Sequence, residues 1–354
     1  MLYNENILMI GESDMTSIIL AVKNIFHGVV AVFMLIPILL TMGEAGDPNT
    51  PVETYPESDN PYFAEYLDPD ISAHRSGAGL APQNTLMAFE NIIANADTVN
   101  VDILEFDVQV TKDGELVLLH DLTLDGTSNA AEVFGRENVF VSSVTFEETQ
   151  SLNMGENFKG DGSYPYRGLR GDEIPYNLRM VTCDTVMDYI EANCGDKEYK
   201  YVIEIKSIGT NGRKAVDKLY EIITERNLQD RVIWSTFAPD VSSYMVKNYP
   251  EISRTADAVE AIQFYFYYRM GWDLQDVNPT YIALQIPYGE NALDNLINLG
   301  NTEMINYAHK NNIALQYWTI NNAEDIIHLT KNGADCIMTD YPQMANEAVQ
   351  SCSQ

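Results

Sequence analysis

From about residue 70 onward, short apolar segments alternate with amphipathic stretches, which is the pattern of strands followed by helices. Strands are predicted at 70–75, 103–110, 116–120, 201–206, 231–237, 281–287, 313–320 and 336–340, with a weaker candidate near 252–256. Helices are predicted at 84–96, 212–227, 239–248, 301–311 and 323–332. This alternation favours a parallel sheet, and the number of strands favours an α/β fold of the TIM (β/α)8 barrel type over a doubly wound sheet. We assign residues 69–350 to this barrel.

The second and third predicted strands depart from the barrel repeat. The turn between them is too short for the crossover that two parallel strands need, so the pair is predicted to form an antiparallel hairpin. A turn centred on residues 112–113 places Glu105 opposite His120. Because side chains alternate along a strand, Glu105 and Asp107 are then predicted to share a face with His120.

The N-terminal residues precede the repeats and differ in composition. Residues 28–42 are apolar without a charge, which fits the apolar region of a signal peptide or an uncleaved signal anchor; a buried core helix is the alternative. We therefore predict that residues 1–46 are a signal peptide or signal anchor and that the polar residues 47–68 are a tether. This arrangement predicts an extracellular or cell-surface protein, either secreted or attached to the membrane through residues 28–42.

Two further segments fit no barrel repeat. Residues 125–180 are too long for an ordinary loop between a strand and a helix, so we predict an insertion over the strand ends. Such an insertion would either cap a pocket or only decorate the surface. The aromatic run at residues 264–268 is typical either of a membrane-contact patch or of a packed barrel element.

The chain is strongly acidic, because 52 Asp and Glu residues stand against 21 Lys and Arg residues, for a formal net charge of -31. Such a surface repels phosphate backbones, which argues against nucleic acid as a partner. An anionic small substrate would need a local cation to offset this field. Solubility alone is the alternative explanation for so acidic a surface.

The cysteines and three of the histidines indicate no second site. The four cysteines lack the spacing of a zinc site, and Cys183 and Cys194 would either form a disulfide or remain free thiols. His27 precedes the barrel, while His309 and His328 lie on predicted helices, where solvated or capping roles are expected.

Polar residues collect at the ends of the predicted strands, where barrel enzymes have their active sites. His74 and Arg75 end the first strand, and His120 ends the third. Glu105 and Asp107 lie two residues apart on the second strand, and carboxylates this close repel each other unless a cation lies between them. Since Ca²⁺ and Mg²⁺ prefer oxygen ligands, this pair predicts a divalent metal site.

Glu204 and Lys206 occupy the equivalent place on the predicted strand at 201–206 and share one face. A charge within an apolar strand is costly unless it is paired or binds a metal, so Glu204 is a candidate third ligand. An ion pair with Lys206 is the alternative. Arg75 and Lys206 could bind a phosphate, and the imidazoles of two histidines could serve as acid and base. Together these groups favour phosphoryl transfer over acyl or hydride transfer.

A series of short motifs runs through about residues 70–345 in a fixed order. The first are His74-Arg75 before a Gly-rich turn, Pro82-Gln83-Asn84-Thr85, Glu105-x-Asp107 and His120-Asp121. The later ones are Glu204-x-Lys206, Ser235-Thr236-Phe237, Trp318-Thr319-Ile320-Asn321 and Thr339-Asp340-Tyr341-Pro342. This combination resembles the glycerophosphodiester phosphodiesterases, and its order is highly specific although each motif alone is weak.

The resemblance implies a TIM barrel that hydrolyses glycerophosphodiesters to glycerol 3-phosphate and an alcohol with the help of a divalent metal. The roles that it implies are metal ligation by Glu105, Asp107 and Glu204, general base and acid catalysis by His74 and His120, phosphate binding by Arg75 and Lys206, and contact with the glycerol side by Trp318. The family's route runs through attack by a glycerol hydroxyl and a cyclic phosphate. Export would favour Ca²⁺ as the metal, with Mg²⁺ as the alternative.

The chain departs from the family's usual pattern at two positions. Ser76 stands where the family usually has Gly, and Gln83 stands where it usually has Glu. Gln83 removes a carboxylate close to the site. Neither change affects an implied metal ligand or acid–base group.

Three other functions fit parts of the pattern. A phospholipase C or D that acts on intact lipid headgroups would use a similar site, and the N-terminal apolar segment and the aromatic run are compatible with one. A catalytically silent surface binding protein would keep the barrel, but no implied catalytic position is lost here. A glycosidase would need a carboxylate pair without the His and Arg partners. The sequence leaves the alcohol of the substrate and the oligomeric state open.

Overall fold

The structure is a computed structural model that describes residues 47, 49–55, 58–289 and 298–353. The predicted signal peptide or signal anchor, with its apolar residues 28–42, lies outside these residues. Among the described helices, none combines the length and the apolar character that crossing a membrane requires.

In the described part of the chain, eight strands belong to one sheet, and seven of them run parallel. The strands are β1 Asp70–Ala73, β2 Ile103–Val110, β3 Leu116–Leu118, β4 Lys200–Ile205, β5 Val232–Ser235, β6 Ala283–Pro287, β7 Ala314–Trp318 and β8 Cys336–Thr339. Their order across the sheet is β5-β4-β2-β1-β8-β7-β6, and β3 pairs with β2 away from this path. The parallel sheet confirms the predicted TIM-like α/β fold.

A short segment between β5 and β6 joins the two ends of this sheet. The backbone N–H of Trp234 donates to the carbonyl of Ser253 (3.0 Å), and that of Thr255 donates to the carbonyl of Trp234 (3.1 Å). On the other side, the N–H of Ala256 donates to the carbonyl of Ala283 (2.9 Å). The weak strand candidate in this region is therefore a pair of single bridges rather than a full strand, and it occupies the eighth position around the barrel.

The predicted hairpin is present, but its register is one residue away from the prediction. Val108 pairs with Leu118, so β3 ends before His120, and Glu105 does not lie opposite that histidine. The N–H of Thr111 donates to the carbonyl of Glu115 (2.9 Å), which centres the turn on a single residue rather than on two. Gly114 in this turn has φ +90°, a backbone conformation that favours glycine.

The five predicted helices are present with shifts of a few residues at their ends, and the structure adds helices that were not predicted. The described α-helices are α1 Leu86–Ala94, α2 Ala96–Val99, α3 Ala130–Phe134, α4 Phe146–Thr149, α5 Cys183–Asn193, α6 Gly209–Glu225, α7 Pro239–Asn248, α8 Ala258–Met270, α9 Thr302–Lys310, α10 Ala323–Asn332 and α11 Pro342–Cys352. Since each parallel strand leads into the helices that follow it, the loops after the strands lie together at the C-terminal end of the barrel.

The aromatic run lies inside α8. Phe264 is buried, and Tyr267 and Tyr268 pack against the cluster of buried residues between the barrel and its helices. Of the two interpretations of this run, the structure therefore agrees with a packed barrel element.

The barrel interior contains an apolar layer near the N-terminal ends of the strands. Its buried members are Tyr62, Ile103, Val202, Ile233, Ala283, Ala314, Cys336 and Met338. Tyr62 comes from the segment predicted as a tether and is only 2% exposed. Asn60 beside it donates to the carbonyls of Ile282 (2.7 Å) and Asn312 (2.9 Å), which holds this part of the segment against the barrel.

Replacing Tyr62 should show how much this segment contributes to the fold. We expect Tyr62→Ala to lower the free energy of unfolding by about 3–5 kcal/mol, because a large buried ring leaves a cavity. The Tyr62 hydroxyl has no hydrogen-bond partner among the described residues. Tyr62→Phe should therefore leave the free energy of unfolding unchanged or raise it slightly. Urea unfolding of both variants tests this, and equal losses in the two would contradict it.

The predicted insertion packs on the outer side of the hairpin. Its buried residues Ala130, Val139, Val141, Val144, Leu152, Met154 and Met180 form one apolar cluster with Val117, Leu119 and Leu124. Because Leu119 directly precedes His120, this cluster fixes the insertion beside the histidine at the end of the hairpin.

Candidate active site

His74 directly follows β1 and is held by a carboxylate from the loop after β8. Its Nδ1 lies 2.7 Å from Oδ1 of Asp340, and the side-chain amide of Asn321 donates to Oδ2 of the same carboxylate (2.7 Å). Burial alone would raise the pKa of Asp340, but the bonds from His74 and Asn321 hold this pKa below its ordinary value. This pairing leaves Nε2 of His74 available for a substrate.

Arg75 joins the β1 loop to the carboxylates of β2. Its backbone N–H donates to Oε2 of Glu105 (2.6 Å), and its Nε lies 3.5 Å from Oδ2 of Asp107. One terminal nitrogen of the guanidinium donates to Oε1 of Gln83 (2.5 Å). The guanidinium thus lies between Asp107 and Gln83, with its charge close to the carboxylates.

Three carboxylates meet at this end of the barrel. Glu105, Asp107 and Glu204 are 3%, 1% and 8% exposed, and each has a carboxylate oxygen within 4.8 Å of the others. Asp107 and Glu204 are paired neighbours in the register of β2 and β4. Burial and the charge of Asp107 raise the pKa of Glu105 well above its ordinary value, and burial likewise raises that of Glu204. This cluster could hold a metal ion.

Positive charges offset part of the repulsion among the carboxylates. Lys206 Nζ lies 2.6 Å from Oε1 of Glu204 and 3.3 Å from Oδ1 of Asp107. The ion pair that the sequence left as an alternative for Glu204 is therefore present. Burial would raise the pKa of Asp107, but the charges of Lys206, His120 and Arg75, together with the hydrogen bond from Asn84, outweigh burial and lower it.

His120 lies in the loop just after β3. Its Nδ1 lies 2.8 Å from Oδ1 of Asp121. The side-chain amide of Gln109 donates to the carbonyls of Leu119 (3.0 Å) and Asp121 (2.5 Å), on either side of the histidine. The backbone N–H of Leu119 also donates to the carbonyl of Asp107 (3.0 Å), and together these bonds hold His120 in position beyond the end of β3.

Trp318 ends β7 beside an aromatic residue from the loop after β5. The rings of Trp318 and Phe237 meet edge to face with their centroids 6.0 Å apart. Lys206 Nζ lies 5.8 Å from the centre of the Phe237 ring. The two aromatic side chains therefore border the cationic side of the carboxylate cluster.

Asn84 supports Asp107 in a way that sequence reasoning missed. Its side-chain amide donates to Oδ2 of Asp107 (2.8 Å), and its Oδ1 accepts the backbone N–H of the same residue (3.2 Å). Asn84 has φ +55°, a conformation that Asn tolerates better than most residues. The motif Pro-Gln-Asn-Thr could have signalled this role, since it returns the chain to the site directly after Arg75.

A cavity of about 300 Å³ opens next to His74 and Arg75, and residues of the insertion form its other side. The insertion contributes Gly126, Thr127, Met154, Asn157, Phe158 and Lys159 to the lining. Of the two predicted roles for the insertion, the structure thus agrees with capping a pocket.

A model of the glycerophosphoryl diester phosphodiesterase family matches residues 74–344, which is well over half of the chain. The chain belongs to this family. Its activity is accordingly that of a glycerophosphodiester phosphodiesterase.

Relatives with this name match over most of their length. A glycerophosphodiester phosphodiesterase of Caldanaerobacter subterraneus subsp. tengcongensis is 29% identical over 279 residues, which cover 77% of this chain and 94% of the relative. One of Bacillus altitudinis is 25% identical over 276 residues, covering 78% of this chain and 96% of the relative.

Solved structures share the fold. A glycerophosphodiester phosphodiesterase from Parabacteroides distasonis superposes with a TM-score of 0.58 at 16% identity, covering 82% of this chain and all of the other. An Oleispira antarctica phosphodiesterase in complex with the product sn-glycerol-3-phosphate gives a TM-score of 0.58 at 20% identity, covering 80% of this chain and 97% of the other.

The two departures from the family's usual pattern have distinct structural consequences. Ser76 has φ +62°, a region that favours glycine, and its buried hydroxyl has no hydrogen-bond partner among the described residues. Gln83 keeps a hydrogen bond to Arg75 but places no charge beside it.

His309, His328 and the cysteines lie away from this cluster, and His27 lies outside the described residues. His309 is buried, and its Nε2 lies 2.8 Å from Oδ2 of Asp335, so the expected solvated or capping role is wrong. Asp335 also accepts the backbone N–H groups of Leu315 (2.7 Å) and Ala64 (3.1 Å), which offset the cost of burying its carboxylate. His328 is exposed, and the four cysteines are free thiols.

Proposed function

We propose that this enzyme hydrolyses glycerophosphodiesters to glycerol 3-phosphate and an alcohol with a divalent cation, and that His74 and His120 are its acid–base groups. The main support is that three buried carboxylates and two cationic side chains meet at one end of the barrel. The Oleispira antarctica phosphodiesterase was solved in complex with its product sn-glycerol-3-phosphate, which is the product that we propose for this enzyme.

Glu105, Asp107 and Glu204 are the residues that would hold the cation. These three residues suit a cation because their carboxylates are buried and repel one another. Lys206 alone offsets this repulsion only in part. A bound divalent cation would neutralise these carboxylates and polarise a phosphoryl oxygen. All three ligands are oxygen donors, which suits Ca²⁺ or Mg²⁺ better than a metal that prefers sulfur or nitrogen.

His74 and His120 are proposed as base and acid because each has one ring nitrogen fixed by a carboxylate. Asp340 and Asp121 bind Nδ1 of the respective histidine, so the opposite nitrogen of each ring is the one that exchanges a proton. In our proposal one of the two histidines takes the proton of the attacking hydroxyl, and the other gives a proton to the departing alcohol.

Arg75 and Lys206 are proposed to bind the phosphate, and Trp318 to contact the glycerol. Arg75 and Lys206 each lie beside a different carboxylate oxygen of Asp107. A phosphate bound between these two side chains would therefore receive hydrogen bonds from both. Trp318 borders the Lys206 side together with Phe237, which offers an apolar surface to the carbon chain of glycerol.

The proposed location of the enzyme bears on which metal ion it would bind. We propose that residues 28–42 direct the enzyme out of the cell or anchor it at the surface, with the barrel outside. An enzyme in that location would meet abundant Ca²⁺, so Ca²⁺ is the first choice of cation and Mg²⁺ the second.

Action on intact lipids is a second candidate function, and exposed apolar side chains support it. Leu80, Leu122 and Ile208 are 40%, 43% and 64% exposed, and each lies in a loop that follows a strand at the catalytic end. Apolar groups at such positions could contact the acyl chains of a phospholipid.

A substrate panel separates the two functions. We expect glycerol 3-phosphate to be released from glycerophosphocholine, with a rate at least about tenfold above that on phosphatidylcholine vesicles. An enzyme-coupled assay for glycerol 3-phosphate measures the first reaction, and release of choline or phosphocholine measures the second. Faster turnover of the vesicles would favour the phospholipase function, and no turnover of any water-soluble diester would refute the proposed one.

A further inference from the structure

The cavity beside Arg75 does not include the carboxylate cluster. His74 and Arg75 form the wall that it shares with the proposed phosphate site, and Asn157, Phe158 and Lys159 of the insertion lie on the other side. Its volume of about 300 Å³ is at the lower end of small-molecule sites, so it suits a small group rather than an acyl chain.

The geometry of Asp107 indicates which part of a diester would enter this cavity. Arg75 Nε lies 3.5 Å from one carboxylate oxygen, and Lys206 Nζ lies 3.3 Å from the other. A phosphate bound to both cations would therefore span Asp107. The Lys206 side is bordered by Phe237 and Trp318, and the cavity lies on the Arg75 side. Because a phosphodiester has two ester substituents, one would lie against the aromatic rings and the other would enter the cavity.

The charges around the cavity favour an anionic group. Among its lining residues, Arg75 and Lys159 are cationic, and the carboxylate of Asp340 is engaged by His74 and Asn321. Among the described residues, Lys159 makes no ion pair that would neutralise its ammonium group. Gln83, which also lines the cavity, is a neutral amide and adds no negative charge beside Arg75.

We propose that this cavity binds the alcohol part of the diester and that Lys159 makes it selective for alcohols with an additional anionic group, such as a second phosphate. This inference rests on the proposed function. Lys159 would pair with that anionic group, while Phe158 and Met154 would contact the carbon skeleton. In a chain with 52 acidic and 21 basic residues, an unpaired cation at this position offsets a field that would otherwise repel such a substrate.

Three substrates with the same glycerophosphate half test the proposal. Glycerophosphoinositol phosphate has an anionic alcohol, glycerophosphoinositol a neutral one, and glycerophosphocholine a cationic one. For the full chain with Ca²⁺, we expect kcat/KM to be about tenfold higher for the first than for the second, mostly through KM, and the difference to shrink at high salt.

Variants of Lys159 then identify the group responsible. We expect Lys159→Gln to lower kcat/KM for glycerophosphoinositol phosphate about tenfold with little change for glycerophosphoinositol, and Lys159→Arg to retain the preference. Lys159→Glu should favour glycerophosphocholine over the anionic substrate. Lys310→Gln is the matched control, because it removes the same charge from an exposed position at the end of α9.

The outcomes separate this proposal from the proposed function. If the wild-type enzyme hydrolyses all three diesters and Lys159→Gln changes their rates equally or not at all, the anionic subsite is refuted and the proposed function stands. If the wild-type enzyme releases glycerol 3-phosphate from none of them, both are refuted.

Discussion

Replacing His74 or His120 by alanine is expected to lower kcat/KM about 10²–10⁴-fold, the usual loss when a positioned acid or base is removed. The reason is that Asp340 and Asp121 each fix Nδ1 of one histidine and leave the other nitrogen free to exchange a proton. Release of glycerol 3-phosphate from glycerophosphocholine, measured at saturating Ca²⁺, gives the rates.

His328→Ala is the matched control for these two variants. His328 is exposed on α10, away from the carboxylate cluster, so its loss should leave kcat/KM within about twofold of the wild-type value. Circular dichroism and thermal unfolding would confirm that the His74 and His120 variants are folded. A folded variant with a near-normal rate would rule out an acid–base role for that histidine.

Much of the site could be predicted because strand periodicity is local. Side chains alternate along a strand, so the spacing of Glu105 and Asp107, and of Glu204 and Lys206, already placed each pair on one face. Parallel strands bring their C-terminal ends together, which predicted that these pairs would meet. In the structure the three carboxylates lie within 4.8 Å of one another. No single segment of the sequence could have given that distance.

The partners of these residues could not be predicted, because they come from distant loops. Asp340 is 266 positions from His74, and the parallel pairing of β1 with β8 brings the loops after these two strands together. Asn84 reaches Asp107 through a backbone conformation with positive φ that no hydrophobic pattern records. Hydrophobic periodicity shows which residues are buried but not which polar groups pair with each other.

The barrel closure and the N-terminal segment were hard to predict for a related reason. The residues that join β5 to β6 make single bridges, so they are too few to give a clear alternating pattern. Tyr62 is one apolar ring in a polar segment, and its burial depends on the opening at the N-terminal end of the barrel. In both cases the surrounding fold, and not the local sequence, determines the position.

Chelation of divalent cations is expected to abolish the activity, and addition of Ca²⁺ to restore it. Glu105, Asp107 and Glu204 lie close together and buried, and their repulsion is offset only in part by Lys206. Glu105→Gln should lower kcat/KM by more than about 100-fold, since even the loss of a group that only supports a metal ligand costs about 10–100-fold. Activity assays in EDTA, followed by titration with Ca²⁺ or Mg²⁺, measure both effects.

Thermal unfolding provides a readout of metal binding that does not depend on catalysis. Ca²⁺ at about 100 times its Kd should stabilise the wild-type enzyme by about 2.7 kcal/mol, because it binds the folded state alone. Glu105→Gln should lose most of this increase in Tm, whereas Glu324→Gln, an exposed change of the same type on α10, should keep it. An enzyme that is fully active in EDTA, or a Glu105→Gln variant that Ca²⁺ stabilises as strongly as the wild type, would show that these carboxylates do not bind a catalytic metal. In that case the ion pair between Glu204 and Lys206 would be a structural contact, and electrostatic stabilisation of the phosphate would depend on Arg75 and Lys206 alone.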